Sequence, residues 1–210
     1  MQYTLLYKRK LPHFQPRGGT FFITLRLAFD IPEKYLQALN RYRESLRKNH
    51  AKPEDVTLSK EIIKKKVFAF EDDLFDKCGD GVTLTNDPAA GIIQNKLLEM
   101  NGDLLYLYAF TIMPNHVHML IRPLLREGVQ VSMSQVIKQF KGSTARLINL
   151  SLHREGQLWF REYHDHWVRS QQELVNVIEY IRNNPVRAGL VKEARQWHWT
   201  WLNPELWQEE

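Results

Sequence analysis

His116-Val117-His118 places two imidazoles two residues apart within a run of apolar residues that ends at Arg122. On an extended strand, residues two apart share a face and sit about 7 Å apart, so the pair could hold a divalent ion that polarises phosphate oxygens. The same triplet also fits two structural histidines satisfied by their neighbours. A second constellation lies nearer the C-terminus. Tyr180 and Asn184 are four residues apart and therefore share a helix face, at the flank of the apolar stripe Leu174, Val177, Ile178 and Ile181. A tyrosine hydroxyl beside a metal-bound phosphate could attack phosphorus, and an amide oxygen one turn later could supply a further hard ligand. Read without that chemistry, Tyr180 is a boundary residue packed for its ring and Asn184 a helix end set by Pro185.

Other donor sets are weaker. Tyr163-His164-Asp165-His166 offers donors at two-residue spacing, with Glu155 and Glu162 as possible acids, but no His-Glu-x-x-His or paired-cysteine motif accompanies them. No glycine-rich phosphate loop is present either. Arg17-Gly18-Gly19 is a turn into a strand, and Arg187-Ala188-Gly189 follows a helix instead of opening one. The single cysteine, Cys78, excludes an internal disulfide or a cysteine zinc cage and reads as a buried residue.

The elements that must carry these residues follow from periodicity. Thr20 to Phe29 alternates as a strand. Pro32 opens a helix through about Asn49, and a second runs from Leu58 to about Cys78, capped by Thr57 or Ser59 and stopped by Gly79. A short strand over Val82–Thr85 leads to Asp87-Pro88, the N-cap and first turn of a helix that Gly102 ends. Leu104 to Met113 has the near-continuous apolar pattern of a strand buried on both faces; Met113-Pro114-Asn115 turns it into the His116–Arg122 strand. From Ser132 or Ser134 to Leu150, a helix buries Val136, Ile137, Phe140, Leu147 and Ile148 and turns Lys138, Lys141 and Arg146 outward. A strand near His164–Arg169, a helix from Gln171 to Asn184 capped by Ser170 and ended by Pro185, and an irregular tryptophan-rich tail over 186–210 complete the chain. Hairpin strands mixed with crossing helices predict an α+β fold with helices on an antiparallel sheet.

The chain's 210 residues, 43% of them hydrophobic, suffice for one domain with a substantial core, and 25% charge with 10 Gly and 9 Pro excludes a collagenous or broadly disordered polymer. The expectation is a single domain over 1–210. Its apolar runs fall short of the roughly 18 residues of a membrane span, and Lys8-Arg9-Lys10 stands where a signal peptide would be apolar. We therefore expect a cytoplasmic protein. The net charge of +5 is unevenly placed. Residues 1–26 carry five basic residues and no acid, and residues 138–195 carry ten basic and six acidic. Those two segments could form a surface for a polyanion, with tryptophans as stacking partners, or simply a solvated basic face.

Taken together, the motifs resemble the REP-associated tyrosine transposases, a branch of the HUH single-strand DNA transposases that includes the IS200-like domain. The resemblance rests on Leu11-Pro12-His13-Phe14, Gly19-Thr20-Phe21-Phe22-Ile23-Thr24, Met113-Pro114-Asn115-His116-Val117-His118, Gln139-Phe140-Lys141, Leu158-Trp159-Phe160-Arg161-Glu162-Tyr163 and Tyr180-Ile181-Arg182-Asn183-Asn184-Pro185-Val186-Arg187-Ala188-Gly189-Leu190. It implies a ferredoxin-like sheet with helices, to which 32–78 would add a helical insertion. It also implies that His116, His118 and Asn184 are metal ligands for Mg²⁺ or Mn²⁺ and that Tyr180 is a nucleophile forming a 5′-phosphotyrosine link on single-stranded hairpin DNA. Arg17, Lys138, Lys141, Arg146 and Arg187 would then hold phosphates, and Trp159, Trp167 or Trp199 would stack on unpaired bases. Trp197-His198-Trp199-Thr200 looks like the family's Trp-Pro-Trp-Ser with His198 replacing proline. Two other readings stand beside the transposase: a domesticated hairpin-binding protein without catalysis, and a metal-dependent phosphodiesterase that uses water. Monomer and homodimer stay equally open.

Overall fold

Two short strands, β1 (Leu5–Lys8) and β2 (Pro12–Gln15), pair antiparallel ahead of β3 (Thr20–Arg26). The computed structural model describes residues 5–8, 12–49, 56–78 and 82–206. Arg9, Lys10 and Leu11 of the expected basic segment and first motif lie outside them, as do Gly79, the expected helix stop, and the end of the expected tail. Phe29–Val82 forms one compact unit, and the segments on either side of it form another.

Within Phe29–Val82, Pro32 precedes α1 (Glu33–Asn49), and α2 (Val56–Phe75) packs against it. Apolar residues at helical spacing make the seam: Leu39, Leu46 and Leu74 are buried, and Tyr42 stacks on Phe70 with ring centroids 4.3 Å apart. Thr57 and Ser59, expected as caps, lie inside α2, because the helix begins earlier than its apolar periodicity does.

Val82–Thr85, which ends this unit and begins the other in sequence, is a turn and not the expected strand. Leu84 is fully buried, and its amide donates to Pro114 O at 2.8 Å, so it plugs into the next turn in space instead of pairing in a ladder. Asn86, one residue before the expected Asp87, caps α3 (Asp87–Met100) by accepting from the Ala89 amide. Then β4 (Leu105–Ile112) and β5 (His116–Pro123) form a hairpin, and β6 (Leu125–Arg126) and β7 (Val129–Gln130) form a small second one. Ser132 caps α4 (Met133–Ser151), β8 (His164–Val168) follows, and Ser170 caps α5 (Gln171–Arg187). Last comes β9 (Thr200–Leu202).

The main sheet has the order β8-β3-β5-β4-β9, with every neighbouring pair antiparallel. The connections β3-α3-β4 and β5-α4-β8 each skip one strand and run in opposite directions, so right-handed crossovers place α3 and α4 side by side, where they pack on each other. This βαββαβ order is the ferredoxin-like α+β fold that the sequence predicts, extended by α5 and β9.

Three expectations fail here for local reasons. Pro185 does not end α5, which continues to Arg187. Proline removes one backbone bond near a terminus, and the turn after it is closed by Ala188 N donating to Asn184 O, Gly189 N to Val186 O and Leu190 N to Pro185 O, with Gly189 at φ 72°. The tail is not wholly irregular: β9 adds to the free edge of β4, held by Ile112 N to Trp199 O and Asn203 N to Tyr108 O, both 2.9 Å. Leu147, expected in the core, is 41% exposed.

Candidate functional site

β5 is the central strand of the sheet, paired along both edges, and seven of its eight residues are buried. Val117, Met119 and Ile121 take one face, while His116 and His118, each 0% exposed, take the other. Their register partners on β3 are Arg26 and Thr24, and His164 on β8 lies opposite Thr24, so polar groups from three strands meet in one row. A buried imidazole must be hydrogen-bonded, and both are.

The Nδ1 atom of His116 lies 2.7 Å from Asn115 Oδ1, an atom that can only accept, so Nδ1 is the donor. The Nδ1 atom of His118 lies 2.8 Å from Thr24 Oγ1. Each outer nitrogen thus has a partner, and the two Nε2 atoms face each other at 3.0 Å. The strand repeat alone predicts a wider separation; the rings tilt together, with centroids 4.5 Å apart at 67°. Two nitrogens 3.0 Å apart match adjacent corners of an octahedron with ligand distances of about 2.1 Å. The donor set fits a divalent ion with nitrogen affinity.

α5 brings Tyr180 to this pair. The helix packs on β4, β5 and β9 through Ile178 and Ile181, and the Tyr180 ring lies 5.6 Å from the His118 ring and 5.7 Å from Phe22, edge-on to both. Arg187 holds its guanidinium over the same tyrosine ring at 4.8 Å. Asn184, one turn beyond Tyr180, is 2% exposed. The N-terminal end of α5 is fixed by a second polar cluster: Glu173 takes the Arg169 amide at 2.9 Å and His166 Nε2 at 3.0 Å. That contact occupies His166, one of the two histidines of the competing Tyr163–His166 donor set.

The residues expected to contact nucleic acid separate into two groups. Lys138 and Arg146 are exposed on α4, and Arg187 is exposed beside Tyr180; Trp199 and Trp167 are half-buried. Arg17 is also exposed, with Nη2 donating to Gly128 O at 2.9 Å. Trp159 and Lys141 have structural work instead. Trp159 is 4% exposed, its indole N–H donating to Thr144 Oγ1 and its ring 5.8 Å from Phe140, which removes its faces from any base. Lys141 is half-buried, and its Nζ donates to Phe160 O at 2.8 Å and, less closely, to Arg161 O and Glu162 O. These bonds fasten the loop that also pairs with the end of β3 through Phe160 N to Arg26 O and Ala28 N to Leu158 O. Asn115 and Thr24 are the functional-site residues that the sequence does not single out. Asparagine before the first histidine, in Pro114-Asn115-His116, was the available signal.

Residues 90–184 match the family model described as Transposase IS200 like. A putative REP-associated tyrosine transposase of Haemophilus influenzae is 27% identical over 95 residues, covering 42% of this chain and 54% of that protein. An uncharacterized protein of the same organism is 24% identical over 95 residues, covering 37% and 52%. The chain thus spans about half the length of the curated relatives it matches. A solved REP-associated tyrosine transposase bound to a REP hairpin aligns over 97% of this chain and 91% of its own, at 16% identity and a TM-score of 0.45.

Proposed function

We propose that the protein is a metal-dependent single-stranded DNA endonuclease and strand transferase acting on hairpin DNA, a reading supported by the match of residues 90–184 to the family model described as Transposase IS200 like. The observation that carries this reading is the convergence of the His116 and His118 Nε2 atoms at 3.0 Å beneath a tyrosine ring borne by α5. In this reading His116 and His118 hold Mg²⁺ or Mn²⁺, with Asn184 as a third ligand. When bound, the ion supplies positive charge to the non-bridging oxygens of the scissile phosphate.

Tyr180 Oη attacks phosphorus, a P–O bond to tyrosine forms, and the bond to the 3′-oxygen breaks. The phenolic proton is lost as the 3′-oxygen gains one, leaving a 5′-phosphotyrosine and a free 3′-hydroxyl. Because a phosphodiester replaces a phosphodiester, attack by a 3′-hydroxyl can reverse the step and rejoin strands. An ordinary tyrosine is almost wholly protonated at neutral pH, its pKa being about 10. The Arg187 guanidinium over the Tyr180 ring favours the developing phenolate. Exposed Lys138 and Arg146 give the strand's phosphates a cationic path.

The test is incubation of the protein with single-stranded hairpins from its own genomic flanks, with and without Mn²⁺, followed by a denaturing gel. Metal-dependent cleavage with a covalent protein–DNA band supports the proposal. Binding without cleavage would leave a hairpin-binding protein, and cleavage without a covalent band would leave a phosphodiesterase that uses water.

A further inference from the structure

We propose that Arg122, on the histidine face of β5 but towards the other end of the strand, grips a backbone phosphate of the bound DNA as a contact separate from the His116–His118 pair. The inference deepens the reading of the protein as a hairpin-DNA enzyme and rests on it for the identity of the polyanion.

Strand alternation puts His116, His118, Leu120 and Arg122 on one face of β5. Arg122 stands about 13 Å along the strand from His118, and Leu120 between them is fully buried, so the arginine is no part of the histidine cluster. Its surroundings are built by two other strands. Tyr106 on β4 is its register partner, and Thr20 on β3 donates to the Tyr108 hydroxyl at 3.4 Å. The guanidinium lies 5.2 Å from the centre of the Tyr106 ring and 6.0 Å from that of Tyr108, and the two rings meet edge-on at 4.9 Å. All three side chains are half-buried.

A guanidinium held over ring faces gains cation–π attraction, while its five N–H donors lie in its own plane and point past the rings. Among the described residues, no oxygen accepts from Arg122 and no carboxylate lies within ion-pair distance of it. The other charged groups at this end are engaged elsewhere. Arg126 pairs with Asp103 at 3.3 Å, Arg17 donates to Gly128 O at 2.9 Å, and Glu205 accepts from the Tyr106 hydroxyl at 3.1 Å. Taking a cation partly out of water costs free energy unless an acceptor meets it, and an arginine kept for structure alone would be expected on a carboxylate or carbonyl. Arg122 instead keeps its donor fork, whose planar geometry matches two oxygens of one phosphate. Such a contact positions a strand and reads no base.

The experiment reads affinity by fluorescence anisotropy of a labelled single-stranded DNA hairpin from the protein's genomic flanks. It is run without metal, over a series of salt concentrations and over a set of hairpins each carrying one neutral methylphosphonate. We expect Arg122→Gln to bind the unmodified hairpin about 10-fold more weakly and to flatten the plot of log affinity against log salt by about 0.7. One methylphosphonate position should cost the wild type about the same 10-fold and cost Arg122→Gln nothing, because that pair is already broken. This coupling is confined to one position, which a general loss of fold cannot produce. Arg122→Lys should keep the salt slope and recover only part of the affinity, since a point charge replaces the planar fork. Tyr106→Phe should bind as the wild type does, because the ring and not the hydroxyl holds the guanidinium. Wild-type affinity in Arg122→Gln, or identical methylphosphonate profiles in the two proteins, overturns the contact. Calorimetric binding of inorganic phosphate that Arg122→Gln abolishes, with hairpin affinity unaltered, assigns the arginine to a free anion and overturns the backbone reading. A wild type that binds no hairpin overturns the DNA reading itself.

Discussion

The indole N–H of Trp159 donates to Thr144 Oγ1 at 2.9 Å, tying the loop over 158–163 to the buried face of α4. Trp159→Ala removes that bond and opens a cavity beside Phe140, so we expect a stability loss of about 3–5 kcal/mol in denaturant unfolding. Trp159→Phe keeps most of the volume and loses the N–H, at about 1–2 kcal/mol. DNA affinity of the folded fraction should be unaltered in Trp159→Phe, and a selective loss of affinity would show that this ring contacts bases.

The α4 cations should divide the same way. Lys141→Gln removes the donor that three loop carbonyls share, and should lower stability by about 1–2 kcal/mol. Exposed Lys138 and Arg146 should be neutralised at a cost within about 0.5 kcal/mol. If they contact phosphate, each should flatten the plot of log affinity against log salt by about 0.7, with sequence preference retained. A double variant with the wild-type slope would mean that this face is solvated only.

How far the sequence carries can be judged at α5 and β9. Ser170 and the apolar stripe of α5 are local signals, and the helix, its cap and the Tyr180–Asn184 face follow from them. Its end does not, because Pro185 and Gly189 give competing stops and only the closing hydrogen bonds decide for Gly189. β9 has three residues and no alternation to read; it exists because β4 offers a free edge. The IS200-like resemblance is borne out by the family match over 90–184, and the ferredoxin-like sheet by the strand order. The His pair was legible as a pair, but the 3.0 Å approach of its Nε2 atoms was not, and of the partners on the outer nitrogens, Asn115 and Thr24, the second comes from another strand. Lys141, read as outward, is half-buried because the loop over 158–163 folds back onto α4, and the same loop turns the Trp159 ring inward onto Thr144 and Phe140.

Tyr106 gives a pH dependence at the tail. Burial raises its hydroxyl pKa above the usual tyrosine value, helped by the hydrogen bond to Glu205 at 3.1 Å. A raised folded pKa means that this contribution to stability is complete below the unfolded value, about 10, and is lost as pH rises through the folded one. Alkaline unfolding of the wild type should therefore be steeper than that of Tyr106→Phe, and Tyr106 should ionise late in an absorbance titration at high pH. Equal alkaline transitions would show that Tyr106 stays solvated.

Tyr180 is proposed as the group that joins DNA, and peptide mapping of the covalent product formed with a cleavable hairpin and Mn²⁺ reads that join at residue level. Mass spectrometry of the nuclease-trimmed adduct should place the nucleotide on the peptide bearing Tyr180. Tyr180→Phe should fold, bind the hairpin and give no adduct, with cleavage lowered by at least about 10³-fold. An adduct mapped to Tyr163, or one that persists in Tyr180→Phe, would contradict the account.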